Sequence, residues 1–112
     1  MQAIVGHLVG LLMASDPRAD GGDPRNVYKV GQNTTRLLLA AGDLVIGWLL
    51  LREADVALTR LAEGPGKDEA FYRGKVAAAR FFARQILPKL SAERAIAEGT
   101  DNELMDLDEA SF

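Results

Sequence analysis

The amino-acid sequence predicts an all-α protein, an antiparallel helical bundle of three main helices followed by a short acidic tail. Apolar residues recur mainly at steps of three and four, and hardly any stretch alternates as a strand would. Clusters of glycine and proline interrupt this pattern twice, and the second cluster is short enough to join antiparallel neighbours. Because 112 residues suffice for one modest core, we expect a single helical domain, residues 1–112, with 99–112 as its tail.

The first predicted helix covers about residues 2–14. Ser15-Asp16-Pro17 ends it, and a polar loop follows from Pro17 to Asn26, where two prolines and two glycines exclude a helix. The apolar start of the chain is superficially similar to a signal peptide. It has no basic segment in front of its apolar residues, however, and Ser15-Asp16-Pro17 is a poor cleavage site. We therefore expect an amphipathic helix.

The second predicted helix is long and unusually apolar. It covers about residues 27–63, with Asn26 as its N-cap. Between Arg36 and Arg52 lie fifteen residues that contain one charge, Asp43. A helix that is apolar nearly all round must be covered on several sides or cross a membrane. Since a membrane span needs about 20 apolar residues and disfavours an internal charge, we expect no transmembrane segment and a covering partner instead.

The third predicted helix covers about residues 67–98, after a stop at Gly64-Pro65-Gly66. Pro88 lacks the backbone donor that a continuous helix needs, so we expect a kink there. One face carries an apolar stripe, which we expect to form the core together with Trp48 of the second helix. The stripe consists of Tyr72, Val76, Ala79, Phe82 or Ala83, Ile86 and Leu90.

No residue pattern predicts an active site. His7 is the only histidine, and no acidic or nucleophilic residue is near it in the sequence, so we expect a structural or surface histidine. The chain has no cysteine and no Glu-x-x-His pair, which leaves no familiar set of metal ligands. We therefore predict no catalytic, cofactor-binding or metal-ligating residue.

Asp43 is the sharpest local irregularity. One interpretation is a buried carboxylate with a raised pKa that serves as a base. The other is an ion pair with an arginine of another helix, or a partly wet position that faces a partner. We favour the second interpretation, because structural ion pairs also perturb pKa values.

Several glycines have an ordinary structural explanation. Gly6-x-x-x-Gly10 in the first helix, and Gly42 and Gly47 in the second, indicate closely packed helix crossings. None of them belongs to a phosphate-binding loop.

The third predicted helix also has a basic face, which contains Arg73, Arg80 and Arg84. Such a face is compatible with binding to phosphate groups or nucleic acid, but the net charge of −3 argues against a nucleic-acid partner. We expect a solvated face whose arginines pair with the acidic tail. The acidic residues of the tail are Asp101, Glu103, Asp106, Asp108 and Glu109.

One segment resembles a known family. The residues from Phe71 to Pro88 read F-Y-R-G-K-V-A-A-A-R-F-F-A-R-Q-I-L-P. This is similar to the F-Y-x-x-K-x-x-x-A-R-F-(F/Y) helix and the following (I/L)-L-P kink in the extra C-terminal module of a subgroup of bacterial acyl-CoA dehydrogenases. The stretch from Tyr28 to Ala54 and the ending from Glu103 to Phe112 resemble the same module. The resemblance covers about residues 27–112.

The resemblance implies that the chain is a piece of a longer, FAD-dependent enzyme, an oxidoreductase that acts on CH–CH groups of fatty or related acyl-CoA substrates. In that family the catalytic glutamate and most contacts to FAD and acyl-CoA belong to the preceding dehydrogenase core, and no segment of this chain matches them. The chain itself is then non-catalytic and holds no cofactor. Its expected role is to cover the dehydrogenase core of the parent chain and to stabilise a homo-oligomer in the cytoplasm.

Two other functions are open on the residues alone. A free-standing helical adaptor or self-associating protein also explains the surplus of apolar helix surface. A small-molecule-binding helical bundle would use Asp43 or an arginine to orient a ligand in an apolar pocket.

Overall fold

The computed structural model describes residues 1–112 and is all-helical, with no strand. This confirms the predicted all-α class. Short 3₁₀ turns cover Gly66–Asp68 and Glu109–Ser111. The α-helices are α1 (Gln2–Met13), α2 (Asn26–Glu63), α3 (Glu69–Gln85) and α4 (Lys89–Glu98).

The chain forms two compact units, and the long helix α2 contributes residues to both. The first unit contains Met1–Leu39 and Ser91–Phe112, and the second contains Ala40–Leu90. Each unit has a small core of its own. That all 112 residues form a single domain, and that they are a piece of a longer enzyme, stay predictions.

The core of the first unit joins α1, α4 and the early part of α2. Ile4 and Leu8 of α1 are buried with Ala97 of α4, and two half-buried leucines pack against them. Apolar surface removed from water stabilises the fold by about 25 cal/mol per Å². The apolar stripe of α1 therefore faces inward, as an amphipathic helix requires.

Polar groups beside this core are paired. Asn33 is 1% exposed. Its Nδ2 donates to Lys29 O at 2.9 Å and to Thr100 Oγ1 at 3.0 Å. Arg36 forms an ion pair with Glu93 of α4. Because a buried polar group without a partner destabilises the folded state, these contacts keep the early part of α2 compatible with a buried position.

Asp23, rather than Asn26, caps the start of α2. Asp23 Oδ1 accepts a hydrogen bond from the backbone N–H of Arg25 at 3.0 Å, and Pro24 follows Asp23, where no backbone donor is needed. The Asn26 side chain donates to Ala14 O of the preceding turn at 3.2 Å. The predicted N-cap Asn26 is therefore wrong, because its side chain bonds Ala14 O while the backbone N–H groups of Val27 and Tyr28 donate to Pro24 O and Arg25 O.

The acidic tail contacts the first unit through polar groups. Asn102 is buried, and its Nδ2 donates to Arg25 O at 3.1 Å. The guanidinium of Arg25 pairs with Asp106 at 3.3 Å. The prediction that the tail pairs with arginines of the third helix is wrong, because its ion pair is with Arg25 of the loop before α2. The tail contains turns and a short 3₁₀ segment rather than an α-helix.

The second helix ends where predicted, at the Gly64-Pro65-Gly66 turn. Gly64 has a φ of 98° and Gly66 a φ of 59°. Glycine adopts this left-handed backbone without steric cost, which is why it follows so many helix ends. The 3₁₀ turn comes next, so α3 begins at Glu69, two residues after the predicted start.

The helix is interrupted at Pro88, between the end of α3 and the start of α4. The backbone N–H groups of Ile86 and Leu87 both donate to Phe82 O, at 3.0 and 3.1 Å. Pro88 has no N–H with which to restore the regular ladder, and its ring excludes a straight continuation. The structure differs in this detail from the predicted single helix 67–98 with a kink, because one full turn of regular helix is lost.

The core of the second unit lies between α2 and α3. Ala54 and Ala57 of α2 are buried with Val76 of α3. The predicted apolar stripe of α3 is confirmed, since every position in it is buried or half-buried. Of the two alternatives in that stripe, Phe82 is half-buried and Ala83 is exposed.

Gly47 permits a close approach inside the second unit. A Cβ atom at Gly47 would lie 3.2 Å from the side chain of Leu87. At Gly6, Gly10 and Gly42 a Cβ atom would meet nothing within 4 Å. The predicted close packing is therefore confirmed at Gly47 and wrong at the other three, which lie on exposed positions.

Candidate interaction surface

Within the second unit, the buried side chains of α2 are small and most of its large ones are exposed. Ala54 is 7% exposed and Ala57 is 1% exposed, whereas Leu51 is 67% exposed. Small residues allow α3 to pack close to α2, and interiors packed at this density leave no room for larger side chains on the same side. The large residues of α2 consequently lie on the remaining faces.

Trp48 lies on one of these outer faces, so the prediction that it fills the core is wrong. Its side chain is 55% exposed. The guanidinium carbon of Arg52 lies 5.2 Å from the centroid of the indole ring, a cation–π contact. Both sides of α2 are apolar, so hydrophobicity alone does not indicate which side is buried.

The exposed apolar side chains of the second unit are numerous. Single apolar residues are normal on a protein surface, but so many large ones on two neighbouring helices indicate an interaction site. Its members are Leu44, Val45, Ile46, Trp48, Leu49, Leu51, Val56, Leu58, Phe71 and Phe81. We call this set the apolar surface.

One line of residues along α2 has the spacing of a coiled coil. Its successive members are four, three, four, three and four residues apart, the a and d positions of a heptad repeat. All of them are exposed, and Asp55 is the one charged member. This line, which we call the outer seam, consists of Leu44, Trp48, Leu51, Asp55, Leu58 and Ala62.

A groove of about 490 Å³ separates α2 from α3 on one side of the second unit. The ring of Phe71 meets the ring of Tyr72 edge-on, with centroids 5.6 Å apart. Lys75 Nζ lies 2.9 Å from Glu53 and 5.4 Å from the centroid of Phe71. The charge of Lys75 is thus neutralised within the chain, and the groove suits an apolar segment. Its other lining residues are Leu49, Arg52, Val56 and Ala57.

Asp43 forms an ion pair, as predicted, but with a lysine instead of an arginine. Lys89 Nζ, at the start of α4, lies 2.6 Å from Asp43 Oδ2. The Asp43 side chain is 17% exposed. The contact is a charge pair without the direction of a good hydrogen bond, since no well-aligned donor reaches Asp43 Oδ2. A structural role for Asp43 is therefore supported by its geometry.

The arginines of the basic face are in different situations. Arg73 pairs with Glu69 one helical turn earlier, at 2.6 Å. Arg80 and Arg84 are exposed and make no ion pair. Arg80 borders an open cleft of about 640 Å³ whose apolar walls include Leu58 and Val76. This basic face is solvated, as predicted, but its arginines do not pair with the acidic tail.

The positions that sequence reasoning considered for chemistry do not come together. His7 is half-buried on α1 and makes no side-chain hydrogen bond. No group of three or more histidine, cysteine, aspartate or glutamate side chains is arranged to hold a metal ion. That this chain has no catalytic, cofactor-binding or metal-ligating residue stays a prediction.

The residues present do not fit an FAD site. The buried side-chain nitrogen or oxygen atoms without a hydrogen bond are Asp43 Oδ2 and Asn102 Oδ1. Both are acceptors, whereas the diphosphate of a flavin nucleotide must be met by donors. Neither atom could donate a hydrogen bond to a phosphate oxygen.

Helix α2 is also long and apolar enough to cross a membrane, judged by length and composition only. Its most apolar window has a mean hydropathy of 1.5 and is 6% buried. The same values describe a helix whose outer faces are covered by other protein. The expectation of no transmembrane segment stays a prediction.

The chain matches a protein-family model and several curated proteins. It fits the family model described as acetyl-CoA dehydrogenase C-terminal like over residues 1–108. It is 46% identical over 113 residues to the broad-specificity linear acyl-CoA dehydrogenase FadE5 of Mycobacterium tuberculosis, covering 100% of this chain and 18% of the relative.

Two further relatives are more distant. Butyryl-CoA dehydrogenase of Syntrophomonas wolfei subsp. wolfei is 35% identical over 81 residues, which are 70% of this chain and 13% of the relative. The 3-methylmercaptopropionyl-CoA dehydrogenase of Ruegeria pomeroyi is 34% identical over 85 residues, which are 76% of this chain and 14% of the relative.

The chain spans less than a fifth of the length of these curated relatives. The family match and the relatives confirm the resemblance that the segment from Phe71 to Pro88 carries in the sequence. The chain belongs to the acetyl-CoA dehydrogenase C-terminal-like family.

Proposed function

We propose that this chain is an accessory module of an FAD-dependent acyl-CoA dehydrogenase. The module covers the dehydrogenase core of its parent chain, strengthens the homo-oligomer and does no chemistry itself. The parent enzyme is proposed to oxidise fatty or related acyl-CoA substrates in the cytoplasm.

The observation that carries the proposal is the apolar surface of the second unit. A helix that exposes Trp48, Leu51 and Val56 while it buries alanines is organised to pack against something outside its own unit. Covering such side chains stabilises an interface by the same transfer from water that stabilises a core.

The relatives support the proposal that the dehydrogenase part of an enzyme covers the apolar surface. Each is named as an acyl-CoA dehydrogenase, and in each the matching part is less than a fifth of the length. The larger remaining part of such a protein is then available to cover the α2–α3 groove, whose lining is mostly apolar. FAD is assigned to that remaining part, since the interior of this chain offers no free donors for it.

The two alternative functions have weaker support. A free-standing adaptor requires a native product of this length, and a small-molecule site at Asp43 requires a free carboxylate. Asp43 is already held by Lys89 at 2.6 Å, so a ligand there would have to displace an internal cation.

The proposal is tested by adding the chain to the dehydrogenase part of its parent enzyme, expressed without this module. We expect the two to associate. The dehydrogenase part should unfold at a higher temperature, with a gain of about 2.7 kcal/mol when the chain is at roughly 100 times its dissociation constant. Equal melting temperatures with and without the chain would contradict the proposal.

Two variants sharpen this test. Leu49→Glu with Val56→Glu places charges in the α2–α3 groove and should abolish the stabilisation, because a charge buried without a partner opposes association. Arg60→Glu is the matched control. Arg60 is exposed on the same helix, pairs with Glu63 at 3.5 Å and does not line the groove, so its replacement should leave the stabilisation unchanged.

A further inference from the structure

We propose that the outer seam of α2 binds the outer seam of a second copy of this chain, with the two helices antiparallel. The inference rests on the proposed function, in which the apolar surface is an interface, and it names the partner of one part of that surface. The α2–α3 groove remains for the dehydrogenase core.

The outer seam suits a helix as its partner. It runs from Leu44 to Ala62, about 27 Å of helix at a rise of 1.5 Å per residue. Side chains at alternating steps of four and three fit between the side chains of a facing helix with the same spacing. Leu44, Leu51 and Leu58 recur every seven residues, and the exposed ring of Trp48 lies between the first two. A second helix would cover all four at once.

The charges on α2 indicate a second copy as the partner. Two of the six charged side chains that α2 contributes to the second unit, Arg52 and Asp55, have no ion pair. They are three residues apart, Asp55 on the outer seam and Arg52 beside it. Arg52 contacts the ring of Trp48 but no carboxylate. One patch thus presents a cation and an anion that both lack an ion pair, so it is complementary to itself. The other four are paired within the chain: Asp43 with Lys89, Glu53 with Lys75, and Arg60 with Glu63.

Self-complementarity also selects the orientation. About a two-fold axis that crosses α2 at residue 53, the two outer seams face each other. Arg52 of one copy then lies within one residue of Asp55 of the other along the helices, and symmetry repeats the contact. The same register places Trp48 opposite Leu58 and Leu44 opposite Ala62. A parallel pair would instead bring each Asp55 next to its own copy, where like charges repel. The antiparallel pair therefore satisfies both charges.

Charge reversal tests this pairing on the 112-residue chain. Arg52→Glu alone and Asp55→Arg alone should each weaken the dimer at least about tenfold, since each creates two repulsive contacts by symmetry. The double variant with both substitutions exchanges the charges and should return the dissociation constant to within about threefold of the original. Sedimentation velocity over a concentration series measures the three constants.

A matched control uses the other pair of charges with the same spacing on α2. Arg60→Glu with Glu63→Arg alters residues outside the outer seam and should leave the dissociation constant unchanged. Orientation is tested by Leu58→Cys, because the chain has no other cysteine. The antiparallel register separates the two thiol positions by about 15 Å along the helices, beyond the reach of a disulfide. A disulfide-linked dimer of this variant would overturn the antiparallel arrangement.

The remaining outcomes separate this inference from the proposed function. A chain that stays monomeric over the whole concentration series would contradict the proposed dimer. So would a dimer whose dissociation constant is unchanged by both charge reversals. Loss of binding to the dehydrogenase part on reversal at Asp55, which does not line the groove, would mean that the core occupies the seam, which also overturns the proposal. A dimer that depends on Arg52 and Asp55 but gives the dehydrogenase part no stability would support the seam and reject the accessory role.

Discussion

At the scale of single residues, Asp43 explains how a charge is accommodated in an apolar helix. The ammonium of Lys89 lies 2.6 Å from its carboxylate and leaves it 17% exposed. Lys89 reaches this position because Pro88 ends the preceding turn and starts α4 directly afterwards. The sequence indicated that Asp43 needs a cation, but the identity of that cation depends on the path of the chain at Pro88.

Trp48 provides a test at the same scale. We expect Trp48→Ala to lower the free energy of unfolding of the monomer by less than about 1 kcal/mol, because exposed side chains contribute little to stability. A buried aromatic residue would cost roughly 3–5 kcal/mol. Urea unfolding at a concentration where the chain is monomeric measures the difference. Val76→Ala, in the core of the second unit, is the control and should cost about 2 kcal/mol.

At the scale of elements, the start of α2 depends on the charge of Asp23. Hydrogen bonds from the side chain and the backbone of Arg25 lower the pKa of Asp23 below its ordinary value of 3.8. A lowered pKa in the folded state means that the unfolded chain binds the proton more readily. The contribution to stability is therefore full above pH 3.8, and it is lost as the pH falls through the lower pKa of the folded state.

The variant Asp23→Asn isolates this contribution. Asparagine can still accept the hydrogen bond from Arg25 N–H, but it carries no charge. We expect the variant to be less stable than the original chain above pH 3.8 and to lose less stability on acidification below that value. Thermal unfolding over a pH series checks this. Asp20→Asn, in the same loop at an exposed position without an ion pair, should leave the acid dependence unchanged.

The break between α3 and α4 is a second feature at this scale. Alanine at position 88 restores a backbone donor and favours a helix. We expect Pro88→Ala to join the two helices and raise the helical signal in far-ultraviolet circular dichroism. The joined helix would carry Lys89 away from Asp43, so the free energy of unfolding should fall although helix content rises. Unchanged helix content would show that packing, and not Pro88, maintains the break. Pro65→Ala is the control, since Gly64 and Gly66 preserve that turn.

At the scale of the whole molecule, the chain has two small cores and a large apolar surface. The largest side chains of α2 contribute little to either core, so much of its apolar area is free for interfaces. The dehydrogenase core and a second copy of the chain are the two partners proposed for that area. The heptad spacing of the outer seam and the mostly apolar lining of the α2–α3 groove distinguish where each would bind.

Much of this architecture was predictable from local chemistry. Glycine and proline end helices through their own backbone limits, so the stop at Gly64-Pro65-Gly66 was correct. The apolar stripe of α3 was correct because charged residues occupy its opposite face. The sequence predicted that an interaction surface exists but not where it lies, since it showed only that α2 has more apolar residues than its neighbours could cover.

The sequence by itself determined the all-α class, the approximate ends of the helices, the inward face of α3 and the family. Only the tertiary structure decided which face of α2 is buried. Where every face of a helix is apolar, transfer from water favours no face over another, and side-chain size then determines which face is buried. Ala54, Ala57 and Gly47 permit close packing on one side of α2, so Trp48, Leu51 and Leu58 face out.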